Sequence, residues 1–293
     1  MISPAKNRLL NILLADDGSL NAHPAVQLLA DLPHDRECVI TALRVFTPIE
    51  GAEYATVEVE AEKTKNLLKS RHLRFRSELV LGYPSDKIIE YAGEHNPNLI
   101  VMGAKGAGLL DGLLGSVAAN VVHSGRWPVL IVRQPYRGLK RILLVTDGSP
   151  ASQYTCDFLG SFALPPDANV EVLHVLPPIR TAYIVEPYGV STITISPEDE
   201  ARIRHDEELK GKMLLDSVRE LLAEHGVSAS TVLLRGEPLT EIVKYAREQE
   251  CDLIVCGSRG AGNLTGWLLG SVSRELVQHA PCSVLVVRSI PES

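Results

Sequence analysis

From Cys256 to Ser273 the chain reads CGSRGAGNLTGWLLGSVS, with five glycines and a single charged side chain, Arg259. Glycine lets backbone N–H groups face an anion, because no Cβ stands between them. A helix that starts where such a loop ends adds unpaired N–H donors and a partial positive charge. Ser271 and Ser273 stand at that start and add hydroxyl donors. The chemistry this predicts is a di- or triphosphate cradle built from backbone rather than from lysine. Two familiar glycine rules do not describe it. Walker A requires a lysine after its last glycine, and none is present here. The dinucleotide fingerprint GxGxxG fails because three residues separate Gly262 from Gly266. The competing reading is a Gly-rich connection that merely turns tightly. The adjoining strand end, the serines at the helix start and an aspartate on a neighbouring strand favour the phosphate reading.

That aspartate is Asp147, in TDGS after the strand-like run ILLV. Two readings carry equal weight. It caps the local turn or the following helix, or it meets a ribose hydroxyl or helps hold a metal on the phosphates. Arg259 either reaches a phosphate or is a solvated surface arginine. His174, in VEVLHV, reads as a satisfied strand-end histidine.

The glycine stretch has a near-copy, MGAKGAGLLDGLLGSVA, from Met102 to Ala118, and the resemblance extends along the chain. ILLADDGS at Ile12 recurs as ILLVTDGS at Ile142, and GYPSDKIIEYA at Gly82 as GEPLTEIVKYA at Gly236. NLIVMGAKGAG at Asn98 recurs as DLIVCGSRGAG at Asp252, and VLIVR at Val129 as VLVVR at Val284. The order is kept, so the chain is a duplicated domain. The expected division is 1–136 and 137–293, with a linker in RQPYRGLKR and extra residues in the second copy near 177–200. Those extra residues form a flap over the nucleotide or the neighbouring domain, or a surface insertion.

Each copy must position its loops with alternating strands and helices. Continuous aliphatic runs such as LIVMG and LIVCG suit strands covered on both faces. Ile88, Ile89 and Ala92 share a helix face, with Ser85 or Asp86 expected as its cap. Leu214, Val218 and Leu221 or Leu222 mark another helix, with Gly226 as its stop. The fold class expected is doubly wound α/β, in two tandem parallel-sheet domains, with ligands beyond the carboxyl ends of the strands.

Composition narrows the partners. The 293 residues carry a formal net charge of -7, which disfavours nucleic acid and anionic membranes. The five cysteines lack CxxC spacing and read as reduced, mostly buried thiols. The nine histidines form no HExxH pair, so no metal site is expected. No run reaches membrane-span length and no signal-peptide pattern is seen, so the expected location is cytoplasmic.

Gly257, two residues, Gly260, nine residues, then Gly270-Ser271 closely resembles the ATP-binding signature of the universal stress protein family. TDGS, LHV and VLVV also resemble that family, over nearly the whole chain. The resemblance implies five-stranded sheets of order 3-2-1-4-5 and ATP, with or without magnesium, as ligand. It implies that Asp147 contacts the nucleotide and that Val175 meets adenine through its backbone. Cys256, Gly257 and Gly260 would line ribose and phosphates, and Gly270, Ser271 and Val272 would hold the phosphates, beside Ser273 and Arg259. It also implies pairing of the last strands, here within the chain as a pseudo-dimer, with pairing of whole chains left open.

In the first copy Asp17, Val45, Met102, Gly103, Gly106, Gly115 and Ser116 match the pattern. Only eight residues separate Gly106 from Gly115, and Asp111 adds a negative charge. The second domain is therefore expected to bind ATP more tightly than the first. The function expected is an ATP-binding stress-response or regulatory module, at most a slow ATPase. An enzyme acting on a nucleotide or adenylated substrate, and an interaction module that needs no nucleotide, are the alternatives.

Overall fold

The aliphatic runs at the centre of each copy become buried parallel strands, and the amphipathic stretches between them become covering helices. The computed structural model describes residues 11–18, 23–33, 38–47, 54–105, 114–162, 164–179, 182–186, 189–193, 196–259 and 269–288. The first copy contains β1 (Asn11–Ala15), α1 (His23–Asp31), β2 (Val39–Phe46), α2 (Tyr54–Ser70) and β3 (Phe75–Leu81). It continues through α3 (Pro84–His95), β4 (Leu99–Gly103), α4 (Ser116–Ser124) and β5 (Val129–Val132). The second contains β6 (Arg141–Val145), α5 (Pro150–Ser161), β7 (Asn169–Leu176), β8 (Ala182–Glu186), β9 (Gly189–Ile193) and α6 (Pro197–Glu224). It ends with β10 (Ala229–Arg235), α7 (Pro238–Glu248), β11 (Leu253–Gly257), α8 (Ser271–His279) and β12 (Ser283–Val287).

The main sheet has ten strands in the order β10-β7-β6-β11-β12-β5-β4-β1-β2-β3. Each copy thus has the internal order 3-2-1-4-5 in this sheet, and every pairing of the sheet within a copy is parallel. The pairing between copies is antiparallel, with Val284 opposite Ile131, Leu285 opposite Leu130 and Val286 opposite Val129. The alternating faces of β5 and β12 match across this seam. Leu130 and Leu285 join one core, while Val129, Ile131, Val284 and Val286 join the other. Both cores run through both copies. Each of these six side chains is 1% exposed or less. Uncovering one costs roughly 1.5–3 kcal/mol, against the roughly 5–15 kcal/mol by which a whole domain is stable.

The arginine that follows each last strand reaches into the other copy. Arg133 Nη2 donates to the carbonyls of Val277 (2.6 Å) and Gln278 (2.9 Å) near the end of α8. Arg288 Nη2 donates to the carbonyls of Val122 and His123, the equivalent place in α4. These are last-turn carbonyls with no partner inside their own helix, at the negative end of its dipole. Burial lowers the pKa of both guanidiniums, and Arg259 adds repulsion that leaves Arg288 at about 10. At that value Arg288 stays charged at neutral pH.

One local expectation changes, and two regions gain detail. Helix α3 starts at Pro84 after Tyr83, with no side-chain cap, and Ser85 and Asp86 lie inside its first turn. Proline's fixed φ starts the helix without a capping side chain. The stretch 177–200 holds the antiparallel hairpin β8–β9 and the first turn of α6. Helix α6 has 28 residues where α2 has 17, because Ser196 accepts from the Asp199 amide and Pro197 occupies the first turn. Gly226, at φ +80°, ends α6 as expected. Among the described residues no helix is long and apolar enough to cross a membrane.

Arg288→Ala would leave two carbonyls and the seam's end without their donor. We expect a loss of about 2 kcal/mol in unfolding free energy by urea titration. Arg219→Ala, which breaks an exposed ion pair with Asp216, should change it by less than about 0.5 kcal/mol.

Candidate functional site

In the second copy the chain leaves β6 toward β7 on one side and returns to β11 on the other. Strand order reverses between β6 and β11, the place where open α/β sheets form a crevice beyond the carboxyl ends of their strands. The register aligns Val145 with Cys256 and with Leu173. Asp147, Val175 and the Cys256–Arg259 segment therefore meet at one edge of the sheet.

The ends of the glycine loop are fixed to each other. The Gly270 amide donates to the Ser258 carbonyl at 2.8 Å, and the Ser258 amide donates to Val287 at 2.8 Å. Ser273 is buried, and its hydroxyl lies 3.1 Å from the carbonyls of both Ser258 and Gly270. Expected as a second phosphate donor, Ser273 instead spends its hydrogen tying the loop together. Ser271, the first residue of α8, is exposed, and Val272 is half-buried. Gly270 caps α8 with no side-chain hydrogen bond. The first amides of α8 thus carry the helix's positive end without a side-chain acceptor from the cap.

The two glycines of this site differ in why they are glycine. A Cβ at Gly257 would sit 3.1 Å from Thr155 Oγ1 and 3.3 Å from the Arg259 carbonyl, so packing of β11 against α5 accounts for it. Gly270 has φ -63°, open to any residue, and among the described residues a Cβ there would meet nothing closer than 3.4 Å. Neither backbone strain nor packing against the described residues requires glycine at 270. Cys256 is buried, and burial pushes its thiol up to about 12. It lines the strand end as a neutral group. Arg259 is half-buried and close enough to Arg288 for their charges to repel.

Asp147 is exposed, and its Oδ1 accepts from the Ser149 amide at 3.0 Å. The cap of α5 is Ser149, whose hydroxyl accepts from Ser152. Asp147 closes an Asx turn and leaves the helix cap to its neighbour. Val175 is buried in β7. His174 Nδ1–H donates to the Thr146 carbonyl at 2.8 Å, as a satisfied strand-end histidine should. Gly260, Gly262 and Gly266 lie outside the described residues, as do Gly106 and Asp111 of the first copy.

The first copy repeats the frame. Met102 aligns with Ala15, Gly103 follows, and the Gly115 amide donates to Ala104 at 2.8 Å before α4 starts at Ser116. Asp17 is exposed after β1 and Val45 is half-buried in β2. The chemistry differs at two places. Ala118 stands where Ser273 ties the second loop. Asp16 and Arg44 stand where the second copy has Thr146 and His174, as the equivalent registers show. Arg44 Nη2 donates to Asp16 Oδ2 at 2.5 Å, and both residues are 5% exposed or less. Asp16 Oδ1 also accepts from the Gly18 amide at 3.0 Å. A buried ion pair holds the strand ends of the first copy where a neutral network holds those of the second. Comparing ADDGS with VTDGS, and LRV with LHV, contains the signal for this substitution.

The family model described as Universal stress protein family matches residues 9–133 and again 138–288. The universal stress protein YxiE of Bacillus subtilis is 36% identical over 151 residues, covering 50% of this chain and 98% of its own. A universal stress protein of Mycolicibacterium smegmatis is 24% identical over 308 residues, covering 94% of this chain and 96% of its own. The crystal structure of a universal stress protein from Archaeoglobus fulgidus superposes with a TM-score of 0.64 at 20% identity, covering 96% of this chain and 98% of that one.

Removing one member of the buried pair should cost far more than replacing both. Arg44→Ala is expected to lower the unfolding free energy by roughly 3 kcal/mol, since it leaves Asp16 buried and unpaired. The double change Asp16→Thr with Arg44→His, which copies the second domain, should recover at least half of that loss by urea titration.

Proposed function

The chain belongs to the universal stress protein family in tandem form, and on that premise we propose that its second domain is an ATP-binding regulatory module. In this reading the boundary falls at 136/137, and the nucleotide state of the second domain alters partner binding.

The observation that carries the reading is Gly270. Among the described residues its glycine has no backbone or packing reason, yet it opens a helix whose first amides lack a side-chain cap. A phosphate resting on those amides supplies the reason, because it needs the space a larger side chain would take. The G-2x-G-9x-G(S/T) spacing ends at this same residue. Ser271 supplies an exposed hydroxyl beside the amides, and Cys256 and Gly257 form the wall below. The backbone of Val175 faces the base, and Asp147 reaches a ribose hydroxyl while its Oδ1 keeps the turn closed. Bound ATP brings the triphosphate charge that the helix end attracts, and where magnesium accompanies it the phosphates carry the ion.

The first domain is the weaker site in this reading. Its loop is one residue shorter, it lacks the Ser273 tie, and Arg44 and Asp16 neutralise each other beside Asp17. Calorimetric titration with ATP should give close to one tight site per chain. Two equivalent tight sites would contradict the asymmetry. Gly270→Glu places a side chain and a negative charge in the cradle. It should weaken ATP binding at least tenfold, about 1.4 kcal/mol, while the circular dichroism melt stays within a few degrees of the parent. Unchanged affinity would refute the site.

A further inference from the structure

We propose that the cleft where the two copies join binds a small, multiply charged oxyanion. It is separate from the nucleotide cradle and goes beyond that reading. Strands β6, β7 and β12 begin at its walls, at Arg141, Asn169 and Ser283, so it opens on the opposite edge of the sheet. Its volume is about 510 Å³, and the linker from Arg133 to Arg141 forms one side.

The charge balance of the lining runs against that of the chain. The chain as a whole carries -7. The cleft is lined by Arg133, Arg137, Lys140, Arg141 and Arg247, against two acids, Glu250 and Asp252. Both acids are engaged. Glu250 pairs with Arg141 at 3.0 Å. Asp252 Oδ2 accepts from the backbone amides of Lys140 and Arg141, each at 2.9 Å. Arg133 spends its Nη2 on the end of α8, and its buried Nε has no hydrogen-bond partner among the described residues. Arg137, Lys140 and Arg247 carry no ion pair among the described residues. Three exposed cations thus surround a recess whose own carboxylates are already engaged.

The ligand class follows from these cations. Each is exposed, and a single exposed ion pair is screened and weak. An occupant must engage several at once, which a di- or tricarboxylate or a phosphorylated metabolite does and a monovalent ion does not. Guanidinium groups favour carboxylate and phosphate oxygens by bidentate contact. The negative remainder of the surface repels a long polyanion, so a compact ligand fits best.

The test is calorimetry on the full chain at low ionic strength, with citrate and pyrophosphate as probes. At least one should bind saturably at one site, more weakly as salt rises. The variant Arg137→Glu with Arg247→Glu should weaken it at least tenfold. The neutral pair Arg137→Gln with Arg247→Gln should weaken it less, which separates loss of charge from repulsion. Both pairs change exposed side chains without ion pairs, and thermal melts check that the fold is kept. Gly270→Glu should leave the affinity unchanged. Citrate against pyrophosphate distinguishes a carboxylate site from a phosphate site. The proposal fails if neither probe binds or if the Glu pair leaves affinity unchanged. It also fails if only Gly270→Glu abolishes binding, which would place the anion in the nucleotide cradle.

Discussion

The antiparallel seam between β5 and β12 is the interaction on which the rest of the molecule depends. A last strand with one open edge would present unpaired amides and carbonyls beside fully apolar side chains. Joining the two edges removes both liabilities and merges two five-stranded sheets into one of ten. Because the faces of the two strands match, the cores above and below the sheet become continuous across the copies. The arginines then bind each copy's last helix to the other copy's last strand. The last helix of each copy is thus held at its C-terminal end by an arginine of the other.

This arrangement divides the sheet into edges with different work. At the carboxyl edge of the second copy, local hydrogen bonds fix the loop ends without using the helix amides. Asp147 and Ser149 share the turn after β6, so one carboxylate oxygen closes it while the group remains at the surface. At the amino edge the linker meets the second domain in a recess where both acids are engaged, while Arg137, Lys140 and Arg247 carry no ion pair among the described residues. The two edges differ in the kind of positive charge they carry. One has the backbone dipole of a helix end, which cannot be titrated, and the other has long charged side chains that respond to salt.

Much of this was legible in the chain. The aliphatic runs identified central strands because both of their faces are buried, which removes alternation. The ordered repeats identified the duplication, and the spacing of Gly257, Gly260 and Gly270 identified the loop. What escaped depends on contacts between distant segments or on single helix ends. The Asp16–Arg44 pair joins residues 28 positions apart, so only a comparison of the two copies, and no pattern within one of them, marks it. The start of α6 was hidden because Ser196-Pro197 reads equally well as a loop until the Asp199 amide is seen to meet the serine. Ser85 and Asp86 looked like caps by residue type, whereas Pro84 began the helix one residue earlier. The arginines after VLIVR and VLVVR were visible, but their targets lie some 145 and 165 residues away.

The reciprocal arginines have a consequence for how such a chain diverges. In a dimer of identical single domains, every substitution appears twice, once in each subunit. Covalent linkage makes the partner's effective concentration independent of protein concentration, so the seam no longer has to be strong enough to gather free subunits. It also lets each half change alone. A buried Asp16–Arg44 pair in one half and a Thr146–His174 network in the other is an asymmetry that a dimer of identical domains cannot hold.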